Sequence, residues 1–323
     1  MARDEAKPIT DKPAPDKPAT ETSHGLDLGR RLVIRDIEIA GSGVIILTGP
    51  SSCGKGEIAK AMCELLSIGR DRWLSMGDIL RHTYERARAP DFVHLLQDRY
   101  SISDDAPILD CLDTTPDLSR KVEEQAAPLA AALAAKRGAP ADWRTASQLD
   151  WLEYCTTHGL LVPNRWTQAL IAAHIEQLPD LDSKIFLLDG YPRTRVAAKH
   201  LLDDLAALNL PVLKVLHLSI SKQEMLHRAG MRGRIDDDPA SLLKRYEFYI
   251  ESVQPSVDYL KEQLGADRIA LIDAHQPHYG LRNGTHGFDL ERSIENVVRS
   301  ALRGLGLPRF VIDRMIASRA LAR

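Results

Sequence analysis

The stretch Val44-Ile45-Ile46-Leu47-Thr48-Gly49-Pro50-Ser51-Ser52-Cys53-Gly54-Lys55-Gly56-Glu57 decides how the rest of the chain is read. It opens with a short, continuously apolar, β-branched run and passes into Gly-x4-Gly-Lys. An apolar-periodic segment over residues 58–66 follows, with the spacing of a helix. In a strand, glycine loop and helix arranged this way, backbone N–H groups wrap phosphate oxygens at the helix N-terminus, and the lysine reaches the β and γ phosphates. The segment predicts a phosphate-binding loop over Gly49, Pro50, Ser51, Ser52, Cys53, Gly54, Lys55 and Gly56. Gly56 stands where such loops usually carry the Ser or Thr that meets magnesium. Glu57 then adds a carboxylate, unfavourable beside phosphates unless it points away or holds magnesium-bound water.

Four further runs share the character of the first: Trp73-Leu74-Ser75, Ile185-Phe186-Leu187-Leu188-Asp189, Val212-Leu213-Lys214-Val215-Leu216-His217-Leu218 and Ile269-Ala270-Leu271-Ile272-Asp273. Each is bounded by turn chemistry and separated from the next by helix-length segments. Apolarity without alternation suits strands covered on both faces, so the expected fold is α/β, a five-stranded parallel sheet with helices on either side. Ligands of such sheets bind at the carboxyl ends of the strands. Residues 32–39 are expected to add an antiparallel strand through a turn at Gly41-Ser42-Gly43. Residues 87–150 read as an insertion built around an alanine-rich helix over 122–136, and 308–323 as a final helix with Phe310, Ile312, Met315, Ile316 and Leu321 on its apolar spacing. No internal repeat occurs, which removes solenoids and propellers.

Composition narrows the function classes. The formal net charge of -3 gives no basic excess for nucleic acid or anionic membrane, and 44% apolar residues suffice for a core. No run of about 18 apolar residues exists to span a bilayer. Residues 1–26, with Pro8, Pro13, Pro15 and Pro18 among charges and threonines, are expected to form a disordered tail and show neither a secretory nor a transit pattern. Cys53, Cys63, Cys111 and Cys155 have neither zinc nor disulfide spacing, so a reducing, cytoplasmic setting is expected.

Several separated segments then agree. Ser75-Met76-Gly77-Asp78-Ile79-Leu80-Arg81 follows the second strand, Gly159-Leu160-Leu161-Val162-Pro163 comes later, and Leu188-Asp189-Gly190-Tyr191-Pro192-Arg193-Thr194 follows the third strand. Arg228, Arg234-Ile235-Asp236-Asp237 and Arg245 complete the order. Over residues 43–81 and 159–273 the chain resembles the nucleoside monophosphate kinases, that is, adenylate and uridylate/cytidylate kinases. The resemblance implies a P-loop core at residues 27–80, 184–222 and 237–323, a monophosphate-binding domain at 81–183 enlarged by the insertion, and a short lid at 223–236 of the zinc-free type. It also implies that Lys55 and the loop, including Glu57 where the family has Thr, hold ATP. Asp189 would stand at magnesium through water. Arg81 and Arg193 would grip the acceptor phosphate, with Ser75, Met76, Val162 and Ala197 around the acceptor. Arg228, Arg234 and Arg245 would neutralise the transferring phosphoryl, Arg228 from the ATP side and the other two also reaching the acceptor. Adenylate kinases typically have Thr and Gln where this chain has Met76 and Ala197.

The same residues make chemical sense without the family. Phosphoryl transfer between polyanions needs fixed positive charge, in-line positioning and magnesium, and guanidinium groups meet phosphate oxygens bidentately. The implied partners are Mg·ATP and a nucleoside monophosphate, with no nucleic acid or membrane and a monomer as the simplest assembly. Two other readings stay open: a P-loop kinase of another small acceptor, and an ATP-binding regulatory module without turnover, suggested by Glu57. His275, His278 and His286 are read as lying in one loop over the donor adenine, because their irregular spacing and lack of partners argue against a metal site. Asp236-Asp237-Asp238 is read as partners for lid arginines plus a helix cap. In the helix that follows, Leu242, Tyr246, Ile250 and Val253 are expected to form one apolar stripe.

Overall fold

The computed structural model describes residues 41–86, 89–103, 108, 123–158, 162, 164–232, 239–282 and 285–322. The expected tail at 1–26, the strand at 32–39, Cys111, Arg234 and Asp236 to Asp238 lie outside the described residues, as do Gly159, Leu160, Leu161 and Pro163.

Each of the five apolar runs forms a strand: β1 Gly43–Thr48, β2 Trp73–Ser75, β3 Ile185–Asp189, β4 Val212–Ser219 and β5 Ile269–Asp273. They make one parallel sheet in the order β2-β3-β1-β4-β5. Side chains alternate across a strand, and the two faces have separate cores. Val44, Ile46, Phe186 and Leu188 enter one apolar cluster, whereas Ile45, Leu47, Ile185 and Leu187 enter the other. Cover on both faces holds for β1 and β3, which are buried throughout. It fails at the edge strand β5, where Leu271 is 70% exposed, because only one neighbour strand and a partial helical layer reach it.

Helix α1 (Lys55–Leu65) shares the second cluster with two helices near the end of the sequence. The larger cluster lies under α2 (Met76–Arg86), α3 (Pro90–Tyr100), α4 (Ala126–Arg137), α5 (Gln148–Thr157), α6 (Asn164–Glu176) and α7 (Arg195–Ala207). The alanine-rich helix expected over 122–136 is thus α4. It buries Leu129 and Leu133 and ends where Gly138 takes φ 68°, a left-handed conformation glycine adopts without penalty. Lys136 and Arg137 bond Asp150, which with Ser147 forms a capping box at the start of α5. Helix α3 was not read from the sequence, although Pro90 at its first turn and Phe92 and Leu96 on one buried face mark it.

After β4 come α8 (Lys222–Arg232) and α9 (Pro239–Phe248), a π turn at Tyr249–Val253 and α10 (Gln254–Leu264). The expected stripe needs correction here. Leu242 and Val253 are buried, but Ile250 is 42% exposed and Tyr249 is buried in its place, because Tyr249 lies about two full helical turns after Leu242 and so on the same face, whereas Ile250 is turned a further ~100° round the helix. The segment after β5 is not a plain loop. It forms an antiparallel hairpin, β6 (His278–Arg282) with β7 (Thr285–Asp289), in which Tyr279 faces Phe288 with ring centroids 6.0 Å apart. Among the described residues no group of three or more metal-binding side chains clusters there or elsewhere. Helices α11 (Leu290–Gly304) and α12 (Arg309–Ala322) complete the fold. Ile312, Met315 and Ile316 are buried as expected, but Phe310 is exposed, since two residues along a helix turn the side chain to roughly the opposite face from Ile312. Among the described residues no helix is long and apolar enough to cross a membrane.

Candidate active site

The register of the sheet brings Ser75, Asp189, Leu47-Thr48 and His217 level at the carboxyl ends of four strands. The phosphate loop leaves from this edge. Gly49 has φ 147°, and a Cβ there would lie 2.5 Å from the carbonyl oxygen of Leu218, so only glycine fits. Gly54, in the left-handed region at φ 88°, turns the chain into α1. Lys55 Nζ donates to the carbonyls of Gly49 at 3.0 Å and Pro50 at 2.7 Å, which holds the ammonium across the loop. Cys53 is buried beneath it, Sγ 3.7 Å from Nζ, and burial pushes its thiol pKa up against the opposing pull of Lys55. Glu57 is exposed in the first turn of α1, directed to solvent at a helix N-terminus that favours negative charge. That removes the electrostatic objection to the loop.

Asp189 ends β3, level with Leu47 and Ser75, and is 7% exposed. Burial raises its pKa, while the charges of Lys55 and Arg193 pull it down. Its Oδ1 makes no hydrogen bond, nor does the buried Nε1 of Trp73. The Trp73 indole is close enough to favour the carboxylate electrostatically without reaching hydrogen-bond geometry. Ser52 Oγ in the loop is also buried and unpartnered. An orphaned carboxylate oxygen beside a phosphate loop fits magnesium, a hard cation that takes oxygen ligands and keeps several waters. With no protein cage among the described residues, phosphates and water would supply its other ligands.

The loop after β3 is tied to β1 by Gly190 N–H donating to Leu47 O at 2.9 Å. Arg193 Nε donates back to Gly190 O at 2.9 Å. Burial lowers the Arg193 pKa, Asp189 raises it, and the charge of Arg81 lowers it again, so two guanidinium groups lie within electrostatic reach of each other. Arg81 in α2 is half exposed and forms a close ion pair with Asp78. Met76 and Ala197 are fully buried in the larger apolar cluster, and half-buried Val162 packs against it. Ala197 N–H is capped by Thr194 Oγ1 at 3.1 Å, and its carbonyl accepts from the Tyr191 hydroxyl at 3.4 Å.

Lys55, Asp189, Arg193 and Arg81 are thus brought together. Arg228 is held on the β5 side instead: its Nε donates to Glu224 Oε1 at 2.5 Å and its Nη2 to Ala274 O at 3.0 Å. Burial acts to raise the Glu224 pKa, but Arg228 and His275, the latter 3.1 Å away, hold it below the usual value. Arg245 is half-buried on α9. Sequence reasoning missed Trp73, Glu224 and the buried pair His217 and Tyr249, whose Nε2 and hydroxyl are 2.8 Å apart. A histidine inside an otherwise apolar strand was the available signal for the pair.

No protein-family model matches the chain. Among curated proteins it is similar to the adenylate kinase of Mycobacterium sp. (strain MCS), 39% identical over 116 residues, which are 36% of this chain and 63% of that protein. It is also similar to the adenylate kinase of Mycolicibacterium smegmatis, 39% identical over 106 residues, covering 33% of this chain and 58% of that one. The adenylate kinase of Cyanothece sp. (strain PCC 7425) is 35% identical over 123 residues, 37% and 60% of the two chains. The chain spans about three fifths of the length of these curated relatives.

Proposed function

From the premise that this chain is related to the nucleoside monophosphate kinases, we propose that it transfers the γ-phosphoryl of Mg·ATP to a nucleoside monophosphate. The observation that carries the reading is the convergence of Lys55 and Arg193 on buried Asp189 at the carboxyl ends of the central strands. Phosphoryl transfer of this kind asks the protein for position and charge rather than for a nucleophilic side chain.

In this reading the loop amides from Gly49 to Gly56 bind the ATP phosphates, and Lys55 exchanges the carbonyls of Gly49 and Pro50 for phosphate oxygens. Magnesium, when bound, would supply charge neutralisation to the phosphates. Asp189 would hold that ion's water shell through its unpartnered Oδ1. Arg81 leaves Asp78, and with Arg193 it clamps the acceptor phosphate. Arg228, Arg234 and Arg245 neutralise the moving phosphoryl. The region 81–183 serves as the acceptor domain and 223–236 as a short lid, and their closure excludes water. The free, buried Cys53, Cys63 and Cys155 accord with a reducing, cytoplasmic setting.

The test is ADP formation by purified protein across a panel of nucleoside monophosphates and other small phosphate acceptors, with and without magnesium. Monophosphate-dependent, magnesium-dependent turnover is expected. ATP binding without turnover on any acceptor would leave only a regulatory module, and turnover on a non-nucleotide acceptor alone would move the chain to another kinase class.

A further inference from the structure

Helical conformation runs through α9, the π turn and α10, with Phe248, Val253 and Gln254 all right-handed helical. Pro255 lies inside this run. It has no N–H for the carbonyl of Glu251, and its ring presses on that carbonyl, so a regular helix is unfavourable there. The backbone widens instead, and the N–H of Gln254 reaches the carbonyl of Tyr249, five residues back. Tyr249, where the widened turn begins, lies about two helical turns after buried Leu242 and is itself buried. Its hydroxyl meets His217 Nε2 at 2.8 Å in a buried contact, with ring centroids 5.9 Å apart at 63°.

His217 sits opposite Thr48, the last residue of β1 before Gly49, and the next residue, Leu218, supplies the carbonyl on which Gly49 packs. Tyr249 lies four residues after Arg245, a spacing that puts the two on one helical face. The bond therefore joins the strand beneath the phosphate loop to the helix that carries Arg245. We propose that the His217–Tyr249 hydrogen bond is a positioning device that fixes the rotation of α9 and so presents Arg245 to the transferring phosphoryl. This rests on the function proposed above. Neither residue touches the reacting atoms, and burial, which lowers the imidazole pKa, keeps the ring neutral and its hydrogen bond to Tyr249 defined.

The test is a double-mutant cycle on kcat, with thermal melting as a parallel measure of structure. Tyr249→Phe is expected to lower kcat about tenfold or more, the scale of a small misplacement of a charge-stabilising group, while KM for ATP is unchanged. In an Arg245→Ala background the same substitution should cost nothing further in kcat, yet lower Tm by the same amount. His217→Gln, whose amide can still bond Tyr249, should keep most of kcat, whereas His217→Ala should behave like Tyr249→Phe. A kcat loss of equal factor with and without Arg245, or no loss at all, overturns the proposal and leaves the pair as packing. Wild-type protein that makes no monophosphate-dependent ADP would sink the underlying function, and this inference with it, before any variant is compared.

Discussion

Lys55 donates to the carbonyl of Pro50 at 2.7 Å, so the ammonium already lies across the loop proposed to hold phosphate. The movement needed to meet an incoming oxygen is short. Lys55→Ala is therefore expected to remove charge stabilisation of roughly 3–4 kcal/mol at the transition state, about 10²–10³ in kcat/KM. The fold should survive, because the side chain's partners are loop carbonyls at a half-buried site. Steady-state kinetics with circular dichroism checks both halves, and full activity in a folded variant would contradict the phosphate loop.

Arg81 and Arg228 should separate kinetically. The exposed pair of Arg81 with Asp78 contributes at most about 1 kcal/mol, so Arg81→Ala should leave Tm nearly unchanged while raising KM for the monophosphate far more than KM for ATP. Arg228 is anchored to Glu224 and to Ala274, beside the loop after β5. Arg228→Ala should act mainly on kcat and ATP. Equal effects of both substitutions on both substrates would refute the assignment.

Asp189 links activity to stability with opposite signs. Burial holds its folded-state pKa above the ordinary value of 3.8, against the pull of Lys55 and Arg193. Between the two values the native state binds more protons than the unfolded chain, so stability declines as pH rises through that window and stays lower at neutral pH. Asp189→Asn should therefore melt higher than wild type at pH 7, with the advantage fading as pH falls toward 3.8 and transfer activity lost throughout. Melting curves from pH 3 to 7 decide it. A variant less stable than wild type at pH 7 would show that the carboxylate supports the fold.

Much of this site was legible because its residues sit where the chain changes character. Gly49 follows an apolar strand, Asp189 closes another, and Arg193 follows a glycine turn, so strand ends announced them. What stayed hidden depends on tertiary phase. Ile250 satisfies a helical stripe on paper, but Tyr249, about two full turns after Leu242, lies closer to that face and takes the buried place. The hairpin after β5 was hidden because His278-Tyr279-Gly280-Leu281-Arg282 lacks a β-branched run, and its cross-strand aromatic pair exists only once Tyr279 meets Phe288. The orphaned polar atoms of Trp73 and Asp189 could not be read at all, since burial is a property of the assembled sheet.

Acceptor choice is where the apolar residues matter most. The family resemblance implies that Met76 and Ala197 take the places of Thr and Gln in adenylate kinases, and both are fully buried in the larger cluster. A pocket that hydrogen-bonds a base rejects analogues strongly, because its own polar groups would be left unpaired, whereas an apolar one discriminates by only about 1–3 kcal/mol. Several nucleoside monophosphates are accordingly expected to be accepted with kcat/KM values within about 200-fold of one another. Because Ala197 is fully buried in the apolar cluster, Ala197→Gln should overpack the first turn of α7 and cost about 1–3 kcal/mol of stability. It would gain AMP preference only to the extent that the new amide reaches the base. Initial-rate comparison of four monophosphates, with melting curves for the variant, tests both statements. A wild-type preference for one base above about a thousandfold exceeds what an apolar pocket supplies, and would place recognition on backbone groups near Val162 or on the insertion.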